Sequence, residues 1–427
     1  MTASRRLRIA VAVYGDITHD SRVQREAIAL ADAGHDVTIY CLGWSSDRTP
    51  RFAGRVRVVV LVPERSGVVP GSPSPFLEHR PSTRTQRGRA RVGWLIGYVT
   101  NLRAWGRVSV ERAGQVDAWH LHDFAALVAI APRVKIPFVY DVHDLFTETG
   151  TGQRLPGPLR RAIRAYEKHL VRRATLVVVV NSGIAEDVER RCRPRRLVVV
   201  HNAAPRWNPP EPRPDLIRER LGLAPGTPVV LYHGVLSRWR GLERLCEAMR
   251  EPELAAAHLA LLGYGQMREL LVEQAADPRF GGRVHVLDAV APEELLPWVA
   301  SADVGAMVLP PATRNLVLAT PNKLFECLAA GTPPVVSDLP LMRQIVMDDP
   351  LGPLGAVCDP EDTRSVAQAL AGILDLDPAA REALRGRCLA AARERWNWET
   401  EVGRLTAAYG RLAGAHPGAS APAAWAR

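Results

Sequence analysis

The sequence predicts an α/β protein made of two doubly wound parallel-sheet halves, and three observations carry that expectation. Short β-branched apolar runs alternate with segments of helical period. Those runs end in polar residues, the mark of parallel strands whose carboxyl edge binds ligands. A proline-rich stretch then separates two such series, in a chain of 427 residues that exceeds what one hydrophobic core sustains.

The first strand is Leu7–Val13, followed by the polar loop Tyr14 to His19, a helix with apolar positions Val23, Ala27, Leu30 and Ala31, a stop at Gly34 and a second strand, Val37–Leu42. Ala118–Leu121 reads as a strand ending in His122-Asp123, before a helix from Phe124 to Pro132. Phe138–Val142 ends in His143-Asp144, Leu176–Val180 in Asn181-Ser182, and Leu197–Val200 in His201-Asn202. Residues 202–228 carry seven prolines and a short helix, so the boundary is expected near Trp207. The second half supplies strands Val229–Tyr232, Ala257–Leu262, Val284–Leu287, Val304–Val308 and Pro334–Ser337, with turns at Gly234 and Gly263-Tyr264-Gly265 and a helix from Gly241 to Met249. The expected division is 1–206, 207–395, a closing helix over 396–412 and a frayed tail, 413–427.

Composition narrows the function. With 47% hydrophobic and 23% charged residues the chain is an ordinary globular protein. A net charge of +10 reads either as an Arg-rich surface or as attraction to phosphates, anionic lipid or nucleic acid. Nucleic acid would leave the strand-end His-Asp pairs unexplained, and no nucleic-acid partner is expected. The six cysteines form no Cys-x-x-Cys pair, so neither a zinc site nor a disulfide framework is expected. No secretory signal and no membrane span is legible, and a cytoplasmic location is expected.

Leu318 to Asp338, LATPNKLFECLAAGTPPVVSD, is the most informative segment. Asn322 is expected to cap a helix running to Ala330, with Gly331 after it. The first turn of such a helix is a seat for a diphosphate, and Lys323 adds charge to it. Glu326 shares a face with Asn322 and is the one acid among Leu324, Phe325, Leu328 and Ala329, which favours ribose binding over a surface role.

This segment resembles the signature helix of glycosyltransferase family four. Asp20-Ser21-Arg22 through Gly34-His35-Asp36-Val37, His120-Leu121-His122-Asp123, His201-Asn202, Tyr232-His233-Gly234, Ser301-Ala302-Asp303-Val304 and the last helix agree with it in family order. The resemblance implies the GT-B fold: two Rossmann-like domains facing a central cleft, with the last helix crossing back to the first. It also implies a retaining enzyme that moves a sugar from a nucleotide diphosphate, a UDP-sugar before a GDP- or TDP-sugar, to a glycan, lipid-linked or secondary-metabolite acceptor. No cofactor and no metal are expected. Arg240, in the family's lysine position, Lys323 and the helix terminus would then stabilise the departing diphosphate.

The resemblance gives His122 a sugar hydroxyl and places Asp123 and His143 on the same edge. Where the family often has a first glutamate, this chain has Leu318, so sugar recognition falls to backbone groups around Leu316 to Thr320. Gly15 and Asp16 lie on the first loop, where glycine permits close approach of substrate. Arg22 reads equally as an acceptor or phosphate contact and as a surface charge paired with Glu26. The stretch His79 to Val110 carries seven arginines, no acid, and the interleaved Trp94, Leu95, Ile96, Tyr98, Val99, Leu102 and Trp105. Read as a helix from about Arg91, it fits an anionic membrane surface or a buried helix of the first domain. The rival functions are a sugar-nucleotide epimerase and a nucleotide-sugar-binding protein without turnover. A nicotinamide oxidoreductase would need a Gly-x-Gly-x-x-Gly turn after the first strand, where Tyr14-Gly15-Asp16 stands instead.

Overall fold

In the computed structural model, the residues described are 6–18, 20–44, 52, 54–62 and 84–413, with the backbone alone for 84–96 and 413. They form two compact units. Val200 closes the first and His201 opens the second; residues 148–150 belong to the second, and from Val402 the chain returns to the first. The division precedes the expected Trp207 because Ala203 and Ala204 are already buried in the second unit's core. The last helix, Trp398–Ala413, starts later than expected, with its first residues still in the second unit. The tail beyond 413 lies outside the described residues.

The first unit's sheet comprises β1 (Arg8–Val13), β2 (Asp36–Cys41), β3 (Val56–Val60), β4 (Ala118–His122), β5 (Phe138–Val142), β6 (Leu176–Val179) and β7 (Leu197–Val199). All pairings are parallel, in the order β3-β2-β1-β4-β5-β6-β7. The strand order reverses at β1, so the β1–β4 crevice is the switch point where ligands bind in such sheets. Val13 lies beside His122 in that register, and His122 beside Asp141. β3 is an addition to the sequence reading. The first helix, Ser21–Asp32, begins two residues earlier than its apolar period suggests because Asp20 caps it, Oδ1 accepting the Val23 N–H at 3.1 Å.

The second unit's sheet comprises β8 (Val229–Val235), β9 (His258–Tyr264), β10 (Val284–Asp288), β11 (Val304–Met307), β12 (Pro334–Ser337) and β13 (Ala356–Cys358), again all parallel, in the order β10-β9-β8-β11-β12-β13. Its switch point lies between β8 and β11. Val229 and Leu231 face one core and Val230 and Tyr232 the other, the alternation of a strand covered on both sides. Gly234 and Gly263 are not turns: both strands run through them, because Gly263 lies where a Cβ would meet Gly234 O at 1.9 Å. The helix Asn322–Ala330 ends at Gly331 as expected, but its N-cap is Pro321, and Asn322 is its first helical residue. Leu324, Phe325, Cys327 and Leu328 sink it into the core that Val229 and Leu231 face, each large apolar side chain contributing about 1.5–3 kcal/mol.

The basic stretch is one helix from Arg84 to Ala113. Within it Leu102 and Trp105 are buried, as the core-helix reading requires; residues 79–83, and the side chains of Arg84 through Ile96, lie outside what is described. Among the described residues no helix is long and apolar enough to cross a membrane.

Gly241, at φ 70°, opens the helix Leu242–Ala248 with its Cα so close to β11 that a Cβ would lie 1.7 Å from Val308 O. Gly241→Ala should therefore cost about 2–4 kcal/mol, read as a lower urea midpoint. Gly372→Ala, in a helix with nothing within 4 Å, should be neutral or stabilise by up to about 1 kcal/mol.

Candidate functional site

Alternation along β4 and β5 puts His120 and His122 on one face, with Asp141 beside them. Asp141 is fully buried and is the hub of this edge. Arg22 grips it with two bonds, Nε to Oδ2 and Nη2 to Oδ1, both 2.8 Å. His122 Nδ1 lies 3.0 Å and His143 Nε2 2.9 Å from Asp141 Oδ2. Arg22 also reaches Glu26 Oε1 at 2.9 Å and donates to Val200 O at 2.8 Å. On the far side His120 Nε2 is 3.2 Å from Glu26 Oε2, and Tyr409 OH is 2.7 Å from His120 Nδ1.

Burial would raise the Asp141 carboxyl, but Arg22, His143 and His122 outweigh it and hold it well below its ordinary range. Burial also opposes a charge on His143; Asp123 and Asp141 overcome this and lift it to about 10, so His143 is an imidazolium. His122 goes the other way, lowered by burial and by His120, and is neutral. His122 Nδ1 lies 3.0 Å from both Asp141 Oδ2 and His143 Nε2; the tautomer that carries its N–H there, toward Asp141, leaves Nε2 a buried acceptor with no partner among the described residues. Such an atom is made for a hydroxyl hydrogen.

Asp123 holds the His143 backbone N–H at 3.2 Å and lies 3.3 Å from its Nδ1. Its φ of 63° is a left-handed strain stored at this edge. Gly15 and Asp16 are tied to the end of β2: Leu42 N–H donates to Gly15 O at 2.9 Å, and Asp16 turns back to accept the Thr18 N–H at 2.7 Å. Arg22 is not a surface charge. It is buried and spent on Asp141, Glu26 and Val200.

The second edge is built around Glu326. His233, buried at the end of β8, puts Nε2 2.9 Å from Glu326 Oε2 and orients that half-buried carboxylate. Lys323, one turn earlier on the same helix, donates to Tyr232 OH at 2.9 Å and lies 4.1 Å over the Tyr232 ring centroid. Burial and the nearby Arg240 push its ammonium down to about 7. Arg240 is half-buried beside Trp239, which has a φ of 69° and is exposed. Thr320 is buried, Asn322 is half-buried, and Leu318 follows the short helix Arg314–Val317, its N–H bonded to Arg314 O at 3.1 Å. Leu318, Thr320, Asn322, Lys323 and Glu326 thus sit on one continuous segment, and Arg240 reaches Lys323 from the loop after β8.

The family model described as Glycosyl transferase 4-like domain matches residues 19–203, and that described as Glycosyl transferases group 1 matches residues 227–375. Together they span well over half of the chain. The chain belongs to the family-four glycosyltransferases. Among its relatives, a D-inositol 3-phosphate glycosyltransferase of Xylanimonas cellulosilytica is 27% identical over 71% of this chain and 74% of its own length. Sucrose-phosphate synthase of Thermosynechococcus elongatus superposes with a TM-score of 0.70 at 18% identity, covering 95% of this chain and 99% of that one. HepE of Anabaena, solved with UDP and glucose, has a TM-score of 0.67 at 16% identity, covering 95% and 100%. The fold is GT-B, as the resemblance implies.

In this glycosyltransferase the Arg22–Glu26 pairing read from the sequence is present, though buried, while sequence reasoning gave no site role to Asp141, His120, Tyr409 or His233. The signal for Asp141 was legible: it stands two residues before His143, as His120 stands two before His122, and period two puts each pair on one face. Glu26, His120, His122 and Asp141 converge closely enough to suggest a cation site. Arg22 already fills the cationic role between the two carboxylates, so this donor set fits a guanidinium better than a metal. The Asp-x-Asp triplet of the chain, Asp375-Leu376-Asp377, ends one helix and caps the next, Asp377 Oδ1 accepting the Ala380 N–H at 2.8 Å.

Arg22→Met would leave Glu26 buried without a cation and Asp141 with the His143 imidazolium alone, at a cost of about 3–5 kcal/mol at neutral pH. The wild type, whose Asp141 is held low, should lose stability as pH falls through that depressed range. The variant should instead gain stability relative to wild type on acidification, as its buried carboxyls take up protons; parallel thermal melts from pH 7.5 to 2.5 read both slopes.

Proposed function

We propose that the chain moves a hexose from a UDP-sugar to a hydroxyl of a glycan, a lipid-linked saccharide or a secondary metabolite, with retention and without a metal. The observation that carries this is the Glu326 carboxylate, held by His233 one turn along a helix from Lys323. A carboxylate so oriented accepts two ribose hydroxyls, while Lys323, Arg240 and the first-turn amides face the diphosphate. HepE, of the same fold, was solved with UDP and glucose, which supports uridine as the base. The Xylanimonas relative, named for D-inositol 3-phosphate, supports a hydroxyl-bearing acceptor.

On this reading the bond between the sugar's anomeric carbon and the diphosphate oxygen breaks, and the acceptor oxygen bonds to that carbon on the same face. The acceptor proton passes to the departing phosphate oxygen. Lys323 and Arg240 neutralise the charge that develops on the diphosphate, the largest electrostatic demand of the step. His122 Nε2 accepts a sugar hydroxyl, and His143 and Asp123 hold the edge around it. Leu318 offers the sugar no polar group, so backbone groups from Leu316 to Thr320 recognise it. Gly15 and Asp16 border the acceptor side, and the basic helix from Arg84 offers an anionic membrane surface a place to bind.

Glu326→Ala should weaken UDP binding by about tenfold or more in calorimetry, the worth of a charged hydrogen bond. Donor turnover should survive EDTA; loss restored by Mg²⁺ or Mn²⁺ would overturn the metal-free step. Binding of the diphosphate favours charged Lys323, so UDP affinity should fall as pH rises through about 7, with proton uptake on binding at pH 7.5. Lys323→Met should flatten that dependence.

A further inference from the structure

His122 is anchored only at one end of its ring, at Nδ1, and a ring held there can still pivot. His143 meets the ring edge-on at that same nitrogen, and across its face His120 limits the pivot, stacked on it with centroids 4.5 Å apart and planes 19° from parallel. His120 is in turn held by a hydrogen bond at Nδ1, while its Nε2 only lies near a carboxylate. Nε2 faces Glu26 Oε2 at 3.2 Å, with Asp141 Oδ2 at 4.0 Å behind it. Nδ1 meets the Tyr409 hydroxyl at 2.7 Å. The Tyr409 ring lies parallel to the His120 ring, 8° apart with centroids at 6.0 Å. Tyr409 is itself fully buried, and its neighbour on the other side is His35, whose Nδ1 accepts the Leu7 N–H.

These contacts link three rings in series, Tyr409 hydrogen-bonded to His120 and His120 stacked on His122, ending at the acceptor nitrogen. Directing Nε2–H of His120 at the Glu26 carboxylate leaves Nδ1 to accept a proton donor, and the Tyr409 hydroxyl supplies it. Burial keeps that phenol protonated far above neutral pH, so the donor is permanent. We propose that Tyr409 is a positioning residue for His122, acting through His120, so that the last helix completes the sugar-binding edge of the first unit. The proposal rests on His122 being the hydroxyl acceptor of the glycosyl transfer; its tautomer and ring order can be read with no sugar present.

The consequence for the chain is specific. Tyr409 lies beyond Val402, in the segment that rejoins the first unit after the whole second unit has been made. The histidine edge is therefore incomplete until the last helix has docked, although no residue of that helix is required to touch substrate.

The test uses the full-length protein with ¹⁵N-labelled histidine, and a His122→Asn variant to assign the His122 signals. In wild type, His122 should show a single neutral tautomer protonated at Nδ1. In Tyr409→Phe it should show exchange broadening or mixed tautomers, and His120→Phe, which keeps the stacked ring but removes both nitrogens, should do the same. With UDP-glucose as donor and water as acceptor, each should lower kcat roughly three- to tenfold at little change in KM, the range of one orienting hydrogen bond. The double variant should be no worse than His120→Phe alone, because the two act in series. A His122 spectrum unchanged in Tyr409→Phe, or effects that multiply in the double variant, would overturn the proposal. If Tyr409→Phe does not fold, an unchanged His122 spectrum in His120→Phe overturns it equally. Sharp wild-type and broadened variant spectra in a protein that does not turn over UDP-glucose would keep the positioning role and remove the donor assignment.

Discussion

Two carboxylates, Asp141 and Glu26, are shut away from water in the first unit, and one guanidinium makes that possible. Buried charges of one sign would otherwise cost several kcal/mol each or take up protons. Because Arg22 keeps Asp141 ionised, Asp141 can take an N–H from His122 and another from His143 at the same oxygen. The protonation pattern of the edge follows: His143 charged between two carboxylates, His122 neutral with a buried Nε2 that has no partner among the described residues. Electrostatic arrangement thus precedes ligand binding, and little reorganisation is left for the reaction.

Both units answer the same problem with a histidine and a carboxylate at the switch point of a parallel sheet, but with the roles exchanged. In the first, the carboxylate is buried and fixes the histidine. In the second, His233 is the buried partner, and it fixes Glu326, whose side chain is 18% exposed and so remains open to a ligand. The group left accessible suits the ligand assigned to it. A neutral imidazole takes one hydroxyl hydrogen, while a carboxylate can take two from a ribose diol.

Backbone strain gathers at the same two edges. Asp123 at φ 63° ends β4, and Gly234 at φ 107° and Trp239 at φ 69° lie at and beyond the end of β8. Gly234 leaves room for Lys323, whose Nζ would be 3.5 Å from a Cβ there. Other left-handed positions, such as Gly331 and Gly222, are helix stops that close a turn.

The sequence by itself determined the parallel α/β architecture, the identity of the Asn322–Ala330 helix with its Lys323, Glu326 and Gly331 stop, and the strand-end positions of His122, Asp123 and His143. Local rules suffice there: period two against period 3.6, and glycine at a left-handed stop. Asp141 obeys the same alternation rule but lies inside β5, ahead of the polar His143-Asp144 that marks the strand end, so the strand-end pattern does not single it out. The partnerships were decided by tertiary structure alone. Arg22 and Asp141 are 119 residues apart, His233 and Glu326 93, and His120 and Tyr409 289. No local pattern distinguishes a surface Arg22 from one folded onto a carboxylate three strands of sequence away. That choice depends on which groups packing removes from water together, and burial is a property of the assembled sheet.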